Sequence, residues 1–499
     1  MTPHRDSVVG PALVLMSGRV LAFTASFLLP VALVRLFEPA DFGAYKQLFL
    51  VYTTLYVVGS VLAESLFYFL PRRPEQAGRY VANAALALAG TGAFFLAAVW
   101  ALAPALARRL GNVALAPHLP LVAAFLMAML PTVALEIVMI ARGRYRWGAL
   151  SYGVSDVARV LALLLPALVA RSLHALLLGA LAFACARLLA SALYFRWELG
   201  ATLRPRGAVA GEQLAYALPF ALTVVVETLQ ANYHHYAVSH RFDAATFAIY
   251  AVGCFQIPLL ELVASPLANV MMVRMAERVR EGRGQEARVV WARTARALAL
   301  VFFPVLALLL AVAPDLITFL FTDRYRASVP VFTVWSLSLA LAVLPTEAVL
   351  RVYAATRFLL ALSVGRLLLI AATIGGAITW LGLRGAVLVT IAAALAAKAA
   401  GLVRVARLMR TRVTQVLPWR DLLGIGLAAA ASALVALVLR AALPGGVLAR
   451  LVVTALVCAG TYAVFLFQSG LLTEDERQAL WARLGRWPLV AAWGGTRSS

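Results

Sequence analysis

Lysine is almost missing from this chain of 499 residues: Lys46 and Lys398 are the only two. Acid is scarce too, with 22 carboxyl side chains against 44 basic ones, and charged residues together make up 13% of the sequence. A soluble globular domain carries about a quarter charged residues, so this chain has too little polar surface to clothe a water-soluble body. Neither lysine stands in a glycine-rich loop, which argues against a phosphate-binding loop and against ATP hydrolysis by this chain. No Asp-x-Asp pair occurs, so the acidic metal motif of many membrane transferases is missing, and no cofactor or metal is expected. The three cysteines, Cys185, Cys254 and Cys458, stand singly in apolar stretches. Without ligand spacing they read as small core residues.

What the sequence has in abundance is hydrophobic length. It is 63% hydrophobic with a mean hydropathy of +0.89. Crossing a bilayer takes about 20 apolar residues per helix, and a helix is the segment that pairs its own backbone groups in hydrocarbon. Such windows stand near 12–36, 46–70, 80–106, 118–141, 150–170, 174–196, 214–237, 247–272, 291–313, 329–354, 358–380, 385–408, 421–443 and 450–470. The short alternating segments of a barrel are not present. The expected fold class is an all-α polytopic membrane protein of about fourteen transmembrane helices.

The net charge of +22 would suit nucleic acid, but most arginines lie in short segments between apolar runs. That is the positive-inside pattern, so membrane lipids rather than nucleic acid are the expected partners. With the N-terminus inside, the cytoplasmic segments hold more than twice the basic residues of the outer ones, and both termini are expected in the cytoplasm. The first apolar run is long and interrupted by Arg19, with no cleavage site behind it, so no removable signal is expected. Beyond the last span Thr473 and Glu476 make a capping box. Leu480, Trp481, Leu484 and Trp487 then recur at helical spacing, which predicts an amphipathic helix on the inner surface over 471–499.

An internal repeat organises the rest. Phe37-Glu-Pro-Ala-Asp-Phe42-Gly-Ala-Tyr45, between the first two spans, is matched by Phe242-Asp-Ala-Ala-Thr-Phe247-Ala-Ile-Tyr250, between the seventh and eighth. Ala101-Leu-Ala-Pro104 is matched by Ala311-Val-Ala-Pro314, Pro120 by Pro330, and Ala149-Leu-Ser-Tyr-Gly153 by Ala361-Leu-Ser-Val-Gly365. The offset covers six spans, an even number, so both copies share one orientation. This predicts two six-helix lobes, 1–210 and 211–412, related by an axis along the membrane normal, with 413–470 as two added helices. Such parallel repeats are a transporter architecture.

Several segments resemble the polysaccharide and O-antigen flippase family of the MOP exporter superfamily. They are Arg35-Leu-Phe-Glu-Pro-Ala-Asp-Phe-Gly-Ala-Tyr45, Glu64-Ser-Leu-Phe-Tyr-Phe-Leu-Pro-Arg72, Phe247-Ala-Ile-Tyr250 with Pro258 and Pro266, Leu316-Ile-Thr-Phe-Leu-Phe-Thr-Asp-Arg-Tyr325 and Leu383-Arg-Gly-Ala386. Ala248 and Thr322 stand where glycine is common in that family, and His234 near where many members carry an acid. The resemblance covers residues 10 to 410 and implies a bacterial inner-membrane flippase. It would turn over oligosaccharide linked to undecaprenyl pyrophosphate from the inner to the outer leaflet, working with polysaccharide polymerase and assembly proteins. A lipid II flippase and a cation-coupled multidrug exporter are rival readings within the superfamily. A membrane-embedded glycan polymerase or ligase is the rival of another class.

Ionisable side chains inside spans are functional candidates by default. A pyrophosphate head group calls for guanidinium forks or ammonium groups in a cavity. Arg19, Arg159, Arg187, Arg366 and Lys398 are the candidate substrate-binding residues, with Arg187 and Lys398 at nearly equivalent places in the repeat. The bland alternative is local pairing: Arg159 with Asp156 at i, i+3, and Arg351 with Glu347 at i, i+4. Glu227 and Glu261, near mid-span, are candidates for ion coupling. Asn232, His234, His235 and His240 cluster at one end of the seventh span, where interfacial histidines among tyrosines are ordinary. Reporter fusions test the orientation: a fusion after Ser499 and one between Arg274 and Arg296 should both report cytoplasm, and a periplasmic signal after Ser499 would overturn it.

Overall fold

Fourteen apolar segments in one chain need fourteen self-paired backbones, and the computed structural model, which describes residues 9–255, 257–442 and 446–472, supplies them as helices. In chain order these are α1 (Val9–Leu36), α2 (Pro39–Arg72), α3 (Pro74–Arg109), α4 (Leu119–Ala141), α5 (Tyr145–Ala170), α6 (Leu173–Leu199) and α7 (Gly207–Arg241). The segment α8 comes in two pieces, Ala244–Gly253 and Pro258–Arg280. Then follow α9 (Gly284–Phe321), α10 (Asp323–Val352), α11 (Thr356–Leu381), α12 (Leu383–Leu408), α13 (Trp419–Ala442) and α14 (Val447–Gln468). Among the described residues, twelve helices are long and apolar enough to cross a membrane, with shorter apolar stretches in α1 and α8. The protein is a multi-pass membrane protein. Residues 473–499, where the amphipathic tail is expected, lie outside the described residues.

Two compact units divide the chain. The first is Met1–Pro258 with Leu320–Trp335 and Arg357–Ala397; the second is Leu259–Phe319, Ser336–Thr356 and Lys398–Ser499. In the first unit α7 is tied to neighbours at both ends. Asn83 donates to the carbonyl of Arg206 at 2.9 Å and accepts from its amide at 3.0 Å. At the other end Gln47 donates to Ser239 and to the Leu110 carbonyl, both at 2.9 Å. The expected lobe boundary near residue 210 therefore falls inside the first unit.

The repeated Phe-acid-Phe-Tyr segments meet there. Asp243 caps α8, its carboxylate accepting from the Thr246 amide at 2.8 Å, and these hydrogen bonds hold its carboxyl below the usual range. Its counterpart Glu38 stands at the start of α2 and pairs with Arg324 at 3.0 Å. Phe42, Phe247 and Tyr250 are buried. The α2 backbone comes so near α8 that a Cβ on Gly43 would lie 1.8 Å from the Ala244 carbonyl oxygen. Glycine is needed there because nothing larger fits. Thr322 poses the opposite case: it holds φ 70° and ψ 167°, a region almost confined to glycine, at a position where the resembling family commonly has glycine.

In the second unit α13 and α14 are clamped to α9 at both ends. Arg296 donates to Asp421 at 2.6 Å and to the Leu471 carbonyl. Nineteen residues along α9, Asp315 accepts from Arg440 at 2.7 Å and from Arg450 at 3.4 Å. Between them the Tyr462 hydroxyl donates to the Leu300 carbonyl at 3.2 Å. The repeat explains why these charges exist. The offset of the Pro104–Pro314 match places Ala105 opposite Asp315 and Leu86 opposite Arg296, and both first-copy residues are exposed. Where α3 offers lipid an apolar face, α9 offers charges to an added hairpin.

Asp315→Asn should lower the thermal midpoint of detergent-purified protein by an amount corresponding to about 3 kcal/mol, since it leaves two arginines uncompensated. Replacing Asp315, Arg440 and Arg450 together by leucine should restore most of the loss. An unchanged midpoint in the single variant would sink the clamp. Thr322→Gly should raise the same midpoint, by about 1 kcal/mol of relieved backbone strain.

Candidate functional site

Two helices lose their regular pitch at the same cavity. In α2 the stretch Val61–Glu64 is 3-10, and in α4 so is Leu130–Val133, which carries Pro131. Mid-helix 3-10 turns mark hinges and functional sites. Beside them α2, α4, α5 and α6 enclose about 430 Å3 within the first unit, lined by Tyr52, Tyr56, Glu64, Glu136, Asp156, Arg159 and Arg187 among others.

Arg187 of α6 lines it and bonds to three different side chains. Its Nη2 lies 2.7 Å from Glu136 Oε1, its Nε donates to Thr132 Oγ1 at 3.1 Å, and its Nη1 donates to Ser155. Ser151 donates to the same Glu136 oxygen at 2.6 Å. Only 12% of the Arg187 side chain and 4% of Glu136 are exposed, so each is the condition for burying the other. Arg159 takes the i, i+3 pairing with Asp156 at 2.7 Å, and also donates to Ser26 of α1 at 2.9 Å. Tyr52 stacks between Phe125 and Tyr56, at 4.6 and 5.5 Å, giving the cavity a flat aromatic wall.

The formal charges lining this cavity thus show no positive excess. Two guanidinium groups face three carboxyls, of which Glu64 has no ion pair among the described residues. Both of the cavity's arginines arrive with a carboxylate. Arg159 and Arg187 are brought together as lining residues. The half-buried Arg366 of α11 also belongs to the first unit but does not line this cavity. Lys398 of α12 belongs to the second, where its Nζ donates to Glu347 at 2.5 Å and to the Leu344 carbonyl at 2.7 Å. Glu347 is therefore engaged by Lys398, in place of the i, i+4 pairing with Arg351. Glu227 is exposed on α7. The side chains of Arg19 and Glu261 lie outside the described residues.

Sequence reasoning missed Glu136, Thr132 and Ser155 as partners of Arg187. They lie 32 to 55 residues away from it on other helices, and no local spacing announces them. It also passed over Lys46, which sits over the rings of Phe42 and Tyr45 at 5.5 and 5.8 Å. The histidines make ring contacts: His234 lies 2.6 Å from the Tyr250 hydroxyl and 4.1 Å, ring to ring, from His235. Among the described residues no three His, Cys, Asp or Glu side chains are placed to hold a metal ion.

Comparison with solved structures finds the same fold in transporters. A lipid II flippase, MurJ, in an inward closed conformation matches with a TM-score of 0.68 at 12% identity, over 91% of this chain and 99% of that one. An inward-facing multidrug resistance MATE family transporter of the MOP superfamily matches at 0.65 and 14% identity, over 80% and 99%. A MOP superfamily transporter from Pyrococcus furiosus, described as having a binding pocket of reverse polarity, matches at 0.54 and 15% identity, over 81% and 95%. A comparison with curated protein sequences finds no match. A family model described as "Polysaccharide biosynthesis protein" matches residues 32–330. That match spans more than half of the chain, from the end of α1 through α9 into the start of α10, and the chain belongs to the polysaccharide biosynthesis protein family.

Proposed function

We propose that the chain is a flippase that carries undecaprenyl-pyrophosphate-linked oligosaccharide from the inner to the outer leaflet of the bacterial inner membrane, for surface polysaccharide assembly. The family match over residues 32–330 carries this reading. The flippase and exporter folds among its structural neighbours support a transporter rather than a polymerase or ligase. Two lobes, 1–210 and 211–412, alternate access to a site between them, and both termini face the cytoplasm. The polyprenyl chain stays in lipid while the head group crosses. Polymerase and assembly proteins receive the product.

The chemistry of the substrate assigns the arginines their part. Pyrophosphate oxygens accept guanidinium donors two at a time, and Arg159 and Arg187 are held ready by carboxylates that a stronger anion displaces. Until then Asp156 and Glu136 keep these cations from standing unpaired in the membrane. Arg19, Arg366 and Lys398 supply further positive charge along the path. Glu227 and Glu261 carry the coupling ion. A lipid II flippase is the second reading, favoured by the near-complete cover of MurJ and of this chain by one another. Lipid II offers the same pyrophosphate.

Surface polysaccharide in a flippase-deleted strain complemented with each variant tests the reading, with membrane protein level measured beside it. Arg187→Gln, Arg366→Gln and Lys398→Gln should each abolish export, and Arg187→Lys should be milder because charge survives without the fork. Arg187→Gln combined with Glu136→Gln should recover protein level without recovering export. Normal polysaccharide from the three neutral single variants, at normal abundance, would overturn the mechanism. Restored growth of a strain lacking its lipid II flippase would decide for the second reading.

A further inference from the structure

A second concentration of positive charge lies away from that cavity, where α9 begins and α12 ends. Arg288 in the first turns of α9 and Arg407, Arg410 and Arg412 at the close of α12 surround an open recess of about 690 Å3, with Gln285, Thr411 and Gln415 as its neutral polar lining. No carboxylate lines it, and among the described residues none of Arg407, Arg410 and Arg412 pairs with an acid. Other arginines at this level behave differently: Arg278 and Arg283 are paired with Glu281 and Glu286 at 3.2 to 3.5 Å. The positive-inside pattern calls for basic residues here, but not for their convergence on one recess. Like charges gathered around a concavity repel, and an anion between them removes the repulsion.

The backbone adds a second observation. The α12 terminus closes with the Thr411 amide on the Ala406 carbonyl at 3.0 Å and the Arg410 amide on the Arg407 carbonyl at 3.2 Å. This leaves Arg410 with φ 52°. Helices usually place glycine at that left-handed position, and an arginine there is strained. On the other wall Arg288 is fixed by its Nη1, which donates to the Gln415 carbonyl at 2.7 Å. Trp419, whose indole N–H donates to the Val413 carbonyl at 3.0 Å, opens α13 close by in sequence. Tryptophan in such a place marks the head-group level of a bilayer.

We infer that Arg288, Arg407, Arg410 and Arg412 form a binding site for a phosphate group at the membrane surface. Guanidinium forks match phosphate oxygens in pairs, and the open recess admits a head group from the side or a free anion from water. The strained Arg410 backbone is kept for the sake of its side chain. The site holds whatever the transported molecule is.

The test uses the full chain, purified in detergent and in phosphatidylcholine nanodiscs. One arm counts phosphatidylglycerol retained per protein by native mass spectrometry; the other measures binding of inorganic phosphate and pyrophosphate by equilibrium dialysis. Arg407→Gln with Arg412→Gln should weaken binding about tenfold or more, as loss of charge-assisted hydrogen bonds does. Arg278→Gln with Arg283→Gln, an equal loss of charge, should leave it unchanged. Arg410→Gly separates structure from binding: glycine accepts the left-handed backbone, so the thermal midpoint should hold or rise while anion binding falls. Binding confined to the lipid arm identifies a head group, and binding confined to dialysis a soluble phosphate. Wild-type protein that binds neither anion, wild-type affinity in Arg410→Gly, or equal losses in the two double variants would overturn the site.

Discussion

Opposite charges paired inside an apolar body set the terms for everything else in this protein. A lone guanidinium or carboxylate in hydrocarbon costs several kcal/mol, so each intramembrane charge must have a partner on a neighbouring helix or an aqueous space to face. Arg187 with Glu136 ties α6 to α4, Arg159 with Asp156 and Ser26 ties α5 to α1, and Lys398 with Glu347 ties α12 to α10. Each pair fixes which faces of two helices meet. It also holds a cation where apolar packing alone would not keep one.

The helices themselves were legible in the sequence because hydrocarbon imposes one rule on every residue of a span. Over the described residues each of the fourteen apolar windows matches a helical segment to within two residues, with α8 interrupted. The family was legible from segments such as Phe37 to Tyr45, whose aromatic residues turn out to be buried packing and whose acids stand at the start of a helix. Thr322 shows the same logic in reverse: the departure from a family glycine stands at a backbone angle that only glycine adopts freely. Residue partners were much less legible. The Arg159–Asp156 pair could be read because three residues separate its members on one helix. Arg187 and Glu136 are 51 residues apart, and nothing in a single sequence says which faces of α4 and α6 look at each other. Glu347 shows how local spacing misleads, since a neighbour four residues away lost to a lysine from another helix.

The cavity of the first unit also changes what arginine does in a site of this kind. The pyrophosphate head group that the family resemblance implies calls for cations, as if affinity came from net attraction. The geometry offers neutral ion pairs beside an aromatic wall, where an incoming anion would trade places with a carboxylate. Affinity then depends on a difference between two anions for the same guanidinium. For the proposed flippase that would favour the multiply charged pyrophosphate over singly charged competitors, and would allow release once the carboxylate returns.

The clamp on α9 bears on how the chain is made. Arg296 and Asp315 are synthesised 125 residues before Asp421 and Arg440, the partners that neutralise them. At roughly 5–20 residues per second, α9 waits on the order of ten seconds for its counter-charges. During that interval it cannot be released freely into lipid. It must be held at the insertion machinery, or against earlier helices, until the hairpin of α13 and α14 emerges. The added helices therefore complete the pairing of a segment that was made long before them, and a ribosome stalled before residue 421 would leave α9 without its partners on the hairpin.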